Sequence, residues 1–205
     1  MEQEPEEDRP RDMNRIAAFL LAGLLLAACT EQTGTRPEQS ESGQNLPGVA
    51  GVSAAERRSI DVYAAVYHQL VTEDHTFGGG PSPFDRVFIV SGVVKRPRSR
   101  NMWTISEPFS EAVRVRLRVQ LRTLPPITFV SGAEAHRIAK KQMDGDGKRF
   151  AVILSAGPID GDGSRVEVPN SLWCGGLCAQ WSTYVLKVTD GAWKVTGTTG
   201  PIAIS

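Results

Sequence analysis

Thirteen consecutive uncharged residues, Ile16 to Ala28, divide this 205-residue chain into a leader and the part that can fold in water. The run follows a single Arg15 and closes on small residues immediately before Cys29. As a helix rising ~1.5 Å per residue it reaches roughly 20 Å, short of the ~30 Å hydrocarbon core of a bilayer. A basic start, a short apolar stretch and a small-residue end mark a secretory signal, not a membrane span. Met1 to Asp12 holds six acidic residues against Arg9 and Arg11, which opposes the positive start that export uses. The expectation is a signal peptide over residues 1–28 whose translation starts at Met13.

Leu26-Ala27-Ala28-Cys29 resembles the lipobox of bacterial lipoproteins. The resemblance implies that Cys29 takes a thioether-linked diacylglycerol, becomes the mature N-terminus and carries fatty chains such as palmitate. It also implies a location at the cell membrane, facing outside the cytoplasm, with membrane lipid as the first partner. One buried acyl chain binds marginally, whereas two or more, at ~0.8 kcal/mol per methylene, hold a protein stably. The plainer alternative is an ordinary signal peptide followed by a coincidental cysteine.

Removing residues 1–28 takes away six acids and three bases and leaves 20 Lys+Arg against 17 Asp+Glu. So even a balance argues against nucleic acid as a partner. Thr30 to Val52 is rich in Gln, Glu, Ser, Thr, Gly and Pro and holds almost nothing that could enter a core. Residues 29–53 are therefore expected to be a lipidated cysteine and a disordered linker. The remaining 54–205 suit a single globular domain.

The domain is expected to open with a helix from Ala54 to about Asp74. Ile60, Tyr63, Ala64, Tyr67, Leu70 and Val71 recur on one face, and Ser53 with Glu56 forms a capping box. Thr76 to Asp85, with three glycines and two prolines, cannot be regular, and Arg86 to Gly92 reads as a strand. Lys95 to Arg100 reads as an exposed basic loop. Residues 109–124 support two readings. Val113, Val115, Leu117, Val119 and Leu121 alternate with arginines and Gln120, the period of a strand. The N-cap serines Ser106 and Ser110, early Glu111, late arginines and Pro125-Pro126 favour a helix with a Val113, Leu117, Leu121, Leu124 stripe. Helix is the expectation.

Ile127 to Ser131 reads as a strand, Ala133 to Gln142 as a short helical turn, and four further strands follow over 149–156, 164–173, 180–189 and 192–199. Asp-Gly pairs at 144, 146, 160, 162 and 190 fall between these runs, where hairpins use them. The predicted class is α+β: an N-terminal helix plus a second helix packed on one face of a curved, mostly antiparallel sheet. This element order is similar to the nuclear-transport-factor-like and cystatin-like families, which implies a pocket enclosed by the sheet. The closing Tyr184-Val-Leu-Lys-Val-Thr-Asp-Gly-Ala-Trp-Lys-Val-Thr-Gly-Thr-Thr-Gly-Pro-Ile-Ala-Ile-Ser205 also resembles uncharacterised bacterial lipoproteins, a likeness that implies no activity.

Few residues carry recognisable chemistry. Cys174 and Cys178 flank Gly-Gly-Leu between two strands, and in an exported domain two such thiols most simply form a structural disulfide. Their spacing has one residue more than a thioredoxin-type site, and zinc would need a second ligand pair. The Asp-Gly-Asp-Gly runs at 144 and 160 resemble calcium-loop fragments. Counted from Asp160, however, Arg165 stands where an EF-hand needs Gly and Ser171 where it needs Glu. No metal and no cofactor is expected.

Asp74 and His75 could act as a general base beside a glycine-rich loop, and Asp61, His68 and His75 recur at seven-residue intervals. A histidine at a helix C-terminus more simply meets the helix dipole, and His68 at the edge of the apolar face more simply has a neighbour as partner. Trp103, Trp173, Trp181 and Trp193 read as core before ligand cage. The expected function is a lipid-anchored, non-catalytic binding or envelope-accessory module for an unknown small molecule or envelope protein. The alternative is a small-pocket hydrolase or isomerase using Asp74 and His75.

Overall fold

Ser53 starts the described fold by accepting the Glu56 backbone N–H on its hydroxyl at 3.1 Å, while the Glu56 carboxylate accepts the Ser53 N–H at 2.8 Å. This reciprocal cap satisfies two donors that a helix start would leave without partners. It also holds the Glu56 carboxyl below its ordinary pKa, chiefly through the Ser53 backbone N–H. Helix α1 then runs Ala54–Thr72. The structure is a computed structural model that describes residues 51–77, 81–95, 97, 102–144 and 151–204. The leader, Cys29, the linker to Ala50 and most of the basic loop over 95–100 lie outside the described residues.

All six apolar residues predicted to line α1 are buried, and Val62 and Val66 join them. The stripe is wider than one face because α1 lies between the sheet and helix α2, Glu111–Gln120. Alternation loses to the helix over this second segment. The Ser110 hydroxyl accepts the Val113 N–H at 3.2 Å, and Val113, Leu117, Leu121 and Leu124 are all buried. The arginines between them turn outward: Arg114 pairs with Glu111, and the Arg118 guanidinium lies 5.1 Å from the Phe129 ring centroid.

The fold is α+β, with three helices and an eight-stranded, mostly antiparallel mixed sheet among the described residues. Its strands are β1 Arg86–Val94, β2 Ile105–Pro108, β3 Ile127–Val130, β4 Ala151–Ala156, β5 Arg165–Gly175, β6 Cys178–Thr189, β7 Ala192–Thr198 and β8 Ala203–Ile204. The path across the sheet is β2-β1-β4-β5-β6-β7, with β3 beside β1 and β8 beside β6. From β4 to β7 it is an antiparallel meander, whereas β1 pairs parallel with both β3 and β4. Asp190 and Gly191, at φ 54° and 76°, make the β6–β7 turn, a left-handed pair that Asp-Gly accommodates without strain.

Side-chain alternation splits the core into two layers. Val87, Ile89, Val152, Leu154, Leu172, Tyr184 and Leu186 face α1 and α2. Val90, Ile153, Trp173 and Ala179 face the opposite way, towards Trp103 and helix α3, Gly132–Asp144. So α3 is a full 13-residue helix, not a short turn, and helices occupy both faces. Ala135 and Ala139, one turn apart, supply its small apolar stripe. Its start lies so close to Trp103 that a Cβ at Gly132 would stand 2.1 Å from the Trp103 carbonyl oxygen. Strands β2 and β8, short and mostly exposed, have no period of their own to announce them.

Candidate functional site

The end of α1 brings the candidate acid–base pair onto the sheet. Beyond Thr72 the chain turns, with the Asp74 N–H donating to the Gln69 carbonyl at 3.0 Å. The Tyr184 hydroxyl on β6 donates to Asp74 Oδ2 at 2.7 Å, and Gln69 Nε2 reaches the same oxygen at 3.4 Å. His75 is 5 % exposed and lies edge-on to Phe84, with Phe77 on another side. The pair is thus built into the packing of α1 against the sheet. Burial, then the Asp74 carboxylate, push the Tyr184 phenol well above its ordinary range.

One residue further on, the Thr76 hydroxyl donates to Cys178 Sγ at 3.2 Å. Cys178 is bonded to Cys174 across the β5–β6 turn, with Cα atoms 5.1 Å apart. The expected disulfide is therefore present, and it also contacts the segment that follows α1. Tyr184 and Thr76 carried no sequence signal for these roles, because their partners lie 110 and 102 residues away.

Among the described residues, two clefts flank α1. The smaller, of about 430 Å³, is lined by Asp61, Ala64 and His68 of α1, Gln120 at the end of α2, and Trp193 of β7. Asp61 and His68 thus share a wall, as their seven-residue spacing implies, but His75 does not line this cleft. Gln120 Nε2 donates to Asp61 Oδ1 at 2.6 Å, and the Thr72 hydroxyl meets His68 Nδ1 at 3.3 Å. Both polar groups have neighbours as partners.

The larger cleft, of about 550 Å³, opens between the first turns of α1, strand β2 and the start of α2. Its floor holds Tyr63, whose ring centroid stands 5.4 Å from that of Phe109 and whose hydroxyl donates to the Gly157 carbonyl at 3.2 Å. Burial, then the Glu107 carboxylate, push the Tyr63 phenol up. Arg58 borders this cleft. Its Nη2 donates to the carbonyls of Gly161 and Gly163 at 3.2 and 3.3 Å, and its guanidinium lies 5.4 Å from the Trp193 ring centroid. An apolar floor with a carboxylate at one side can take a small molecule that carries a hydrogen-bond donor or a positive charge. Sequence reasoning missed Tyr63 and Glu107, since a core-stripe tyrosine and a glutamate on an unrecognised strand read as ordinary.

Of the four tryptophans, Trp103 and Trp173 are core, their rings 5.9 Å apart and edge to face. Trp181 packs at the border of that layer and Trp193 lines the smaller cleft. Among the described residues no group of three or more His, Cys, Asp or Glu could hold a metal ion. Nor, among them, is any helix long and apolar enough to cross a membrane. Comparison with known proteins finds no matching family model, no matching curated protein and no matching solved structure.

Proposed function

We propose that this chain is a lipid-anchored, extracytoplasmic binding module, held at the membrane through Cys29 and non-catalytic. The observation that carries a binding role is a separation. Asp74 and His75, the candidate acid–base pair, are engaged in packing α1 onto the sheet, while among the described residues the clefts beside α1 are lined by other side chains. The Cys174–Cys178 bond supports an oxidising compartment, since cytosolic thiols are kept reduced. The lipobox residues Leu26 to Cys29 support the anchor. The cleft floored by Tyr63 and Phe109, with Glu107 beside it, is where a small ligand is proposed to sit.

Two measurements test this. Mass spectrometry of the protein from its native membrane should find an N-terminal Cys29 bearing a diacylglycerol, and Cys29→Ala should move the protein to the soluble fraction. An intact leader or an unmodified Cys29 would end the anchored reading. Native mass spectrometry of the detergent-extracted protein should show a retained small molecule that is lost with Glu107→Ala. A binding role through this cleft fails if Glu107→Ala retains the same adduct.

A further inference from the structure

Strand β2 carries one residue more than its partner, and the extra residue aims Glu107. Opposite the adjacent β1 residues Val93 and Val94 stand Glu107 and Ile105, so Ser106 is a bulge between them. On a regular strand Ile105 and Glu107, two residues apart, would share a face. Here they part. Ile105 packs in the Trp103 layer with Val94, whereas Glu107 and Val93 line the larger cleft. The Ser106 hydroxyl holds the bulge by donating to the Val93 carbonyl at 3.0 Å. Past it the ladder resumes, with the Phe109 N–H donating to the Ser91 carbonyl at 3.0 Å. Phe109, two residues beyond Glu107 on extended chain, therefore comes to the same face and lines the same cleft.

Three charged side chains line this cleft among the described residues, Glu56, Arg58 and Glu107. The Glu56 carboxylate accepts the Ser53 N–H. Arg58 Nη2 meets the Gly161 and Gly163 carbonyls, and its guanidinium lies against Trp193, a residue of the other cleft. Among the described residues the Glu107 carboxylate has neither a salt bridge nor a hydrogen bond. Its charge is felt on the cleft floor, where it adds to the rise of the Tyr63 phenol. The helix starts that border the cleft would alone favour an anion. Each, however, is capped by its own serine and carries a glutamate in its first turn, Glu56 on α1 and Glu111 on α2.

We infer that this cleft takes a small organic cation, an ammonium group on an apolar body, with the ammonium paired to Glu107 and the body against Phe109 and Val93. The inference rests on the cleft-binding reading and names its ligand class. The volume, about 550 Å³, is that of an ordinary small-molecule pocket. A ligand that fills it displaces the water that screens the exposed carboxylate, which strengthens the attraction. Aromatic faces add to the attraction for a cation and repel an anion. A neutral ligand would cover Glu107 and leave its charge without a partner.

The test uses three probes that share one ring and differ in charge: cyclohexylammonium, cyclohexanol and cyclohexanecarboxylate. Each is titrated at low salt into the full chain extracted in a neutral detergent, and binding is read from the amide shifts of Glu107 and Phe109. The ammonium should bind about tenfold more tightly than the alcohol. The carboxylate should bind more weakly than either, and high salt should shrink the advantage of the ammonium. Glu107→Gln should bring the ammonium to the level of the alcohol and leave the alcohol unchanged. Equal affinities, a tighter carboxylate, no binding by any probe, or an ammonium preference that survives Glu107→Gln overturns the inference. Native mass spectrometry separates it from the cleft-binding reading. A native adduct that is lost with Glu107→Ala but is neutral or anionic keeps the binding role and refutes the cation. An ammonium preference that Glu107→Gln erases supports the cation even where no native adduct is retained.

Discussion

Tyr184 on β6 donates its hydroxyl to the Asp74 carboxylate at 2.7 Å, a bond that ties the end of α1 to the sheet across 110 residues of sequence. Asp74 is the acidic half of the candidate catalytic pair, and this bond gives it a structural task. A hydrogen bond to a charged group typically contributes about 1.5–3 kcal/mol, at the lower end where the carboxylate is partly exposed as here. Tyr184→Phe is therefore expected to lower stability by about 1.5 kcal/mol, a fall in Tm of about 3–6 °C for a domain of this size. Thermal denaturation checks it, and an unchanged Tm would return Asp74 to the list of free carboxylates.

The neighbouring case has the opposite sign. The Tyr67 hydroxyl is fully buried and, among the described residues, has no hydrogen-bond partner. Removing an unsatisfied buried polar group gives back its desolvation cost, about 1 kcal/mol here. Tyr67→Phe is expected to leave stability unchanged or raise it, in the same assay in which Tyr184→Phe lowers it. A Tyr67→Phe protein destabilised by as much as Tyr184→Phe would contradict the packing described for α1.

Alkaline pH acts on all three tyrosines of the chain together. Burial raises the phenol pKa of Tyr63, Tyr67 and Tyr184 in the folded protein. In the unfolded chain each ionises near its ordinary value of about 10. The unfolded state therefore holds fewer protons above that pH, so stability is complete below about pH 10 and falls as pH rises through it. Absorbance at the tyrosinate band should stay flat in the native state and rise in one cooperative step with loss of structure. A gradual, non-cooperative tyrosinate titration beginning near pH 10 would show the rings to be open to water.

The Cys174–Cys178 bond closes a short loop, for which chain entropy gives a stabilisation of about 2 kcal/mol. Because Thr76 hydrogen-bonds to Cys178, reduction should be felt beyond the turn. A reducing agent is expected to raise hydrogen exchange both over Trp173–Gln180 and over the Asp74–Phe77 segment. The remaining amides of β5 and β6 should keep their protection. Exchange confined to the turn would mean that the thiols hold no more than their own hairpin.

Leu117 and Val119 sit on the same side of an alternating pattern yet on different sides of α2. Leu117 is fully buried and Val119 is 51 % exposed. Leu117→Ala should cost about 2–5 kcal/mol in chemical denaturation, and Val119→Ala should stay within about 0.5 kcal/mol. Similar losses at both positions would favour a strand.

By itself the sequence determined the parts of this molecule whose causes are local. The Ser53–Glu56 cap and the repeating apolar positions define α1 within a few turns of chain. Asp190-Gly191 defines its hairpin, and two cysteines beside Gly-Gly define the disulfide turn. It also raised the expectation of a leader over residues 1–28, through the length, charge and small-residue end of that stretch. Tertiary structure decided what local energies leave balanced. In α2 the alternating arginines would suit a strand as well as a helix, until burial of Leu117, Leu121 and Leu124 against α1 tips the balance. In α3 a weak alanine stripe becomes a full helix because Trp103 and Trp173 await it on the other face of the sheet. The Asp74–Tyr184 bond, the Tyr63–Gly157 bond and the Thr76–Cys178 bond join residues far apart in the chain. No local pattern encodes such contacts, because they exist only once strand order and register have brought those segments together.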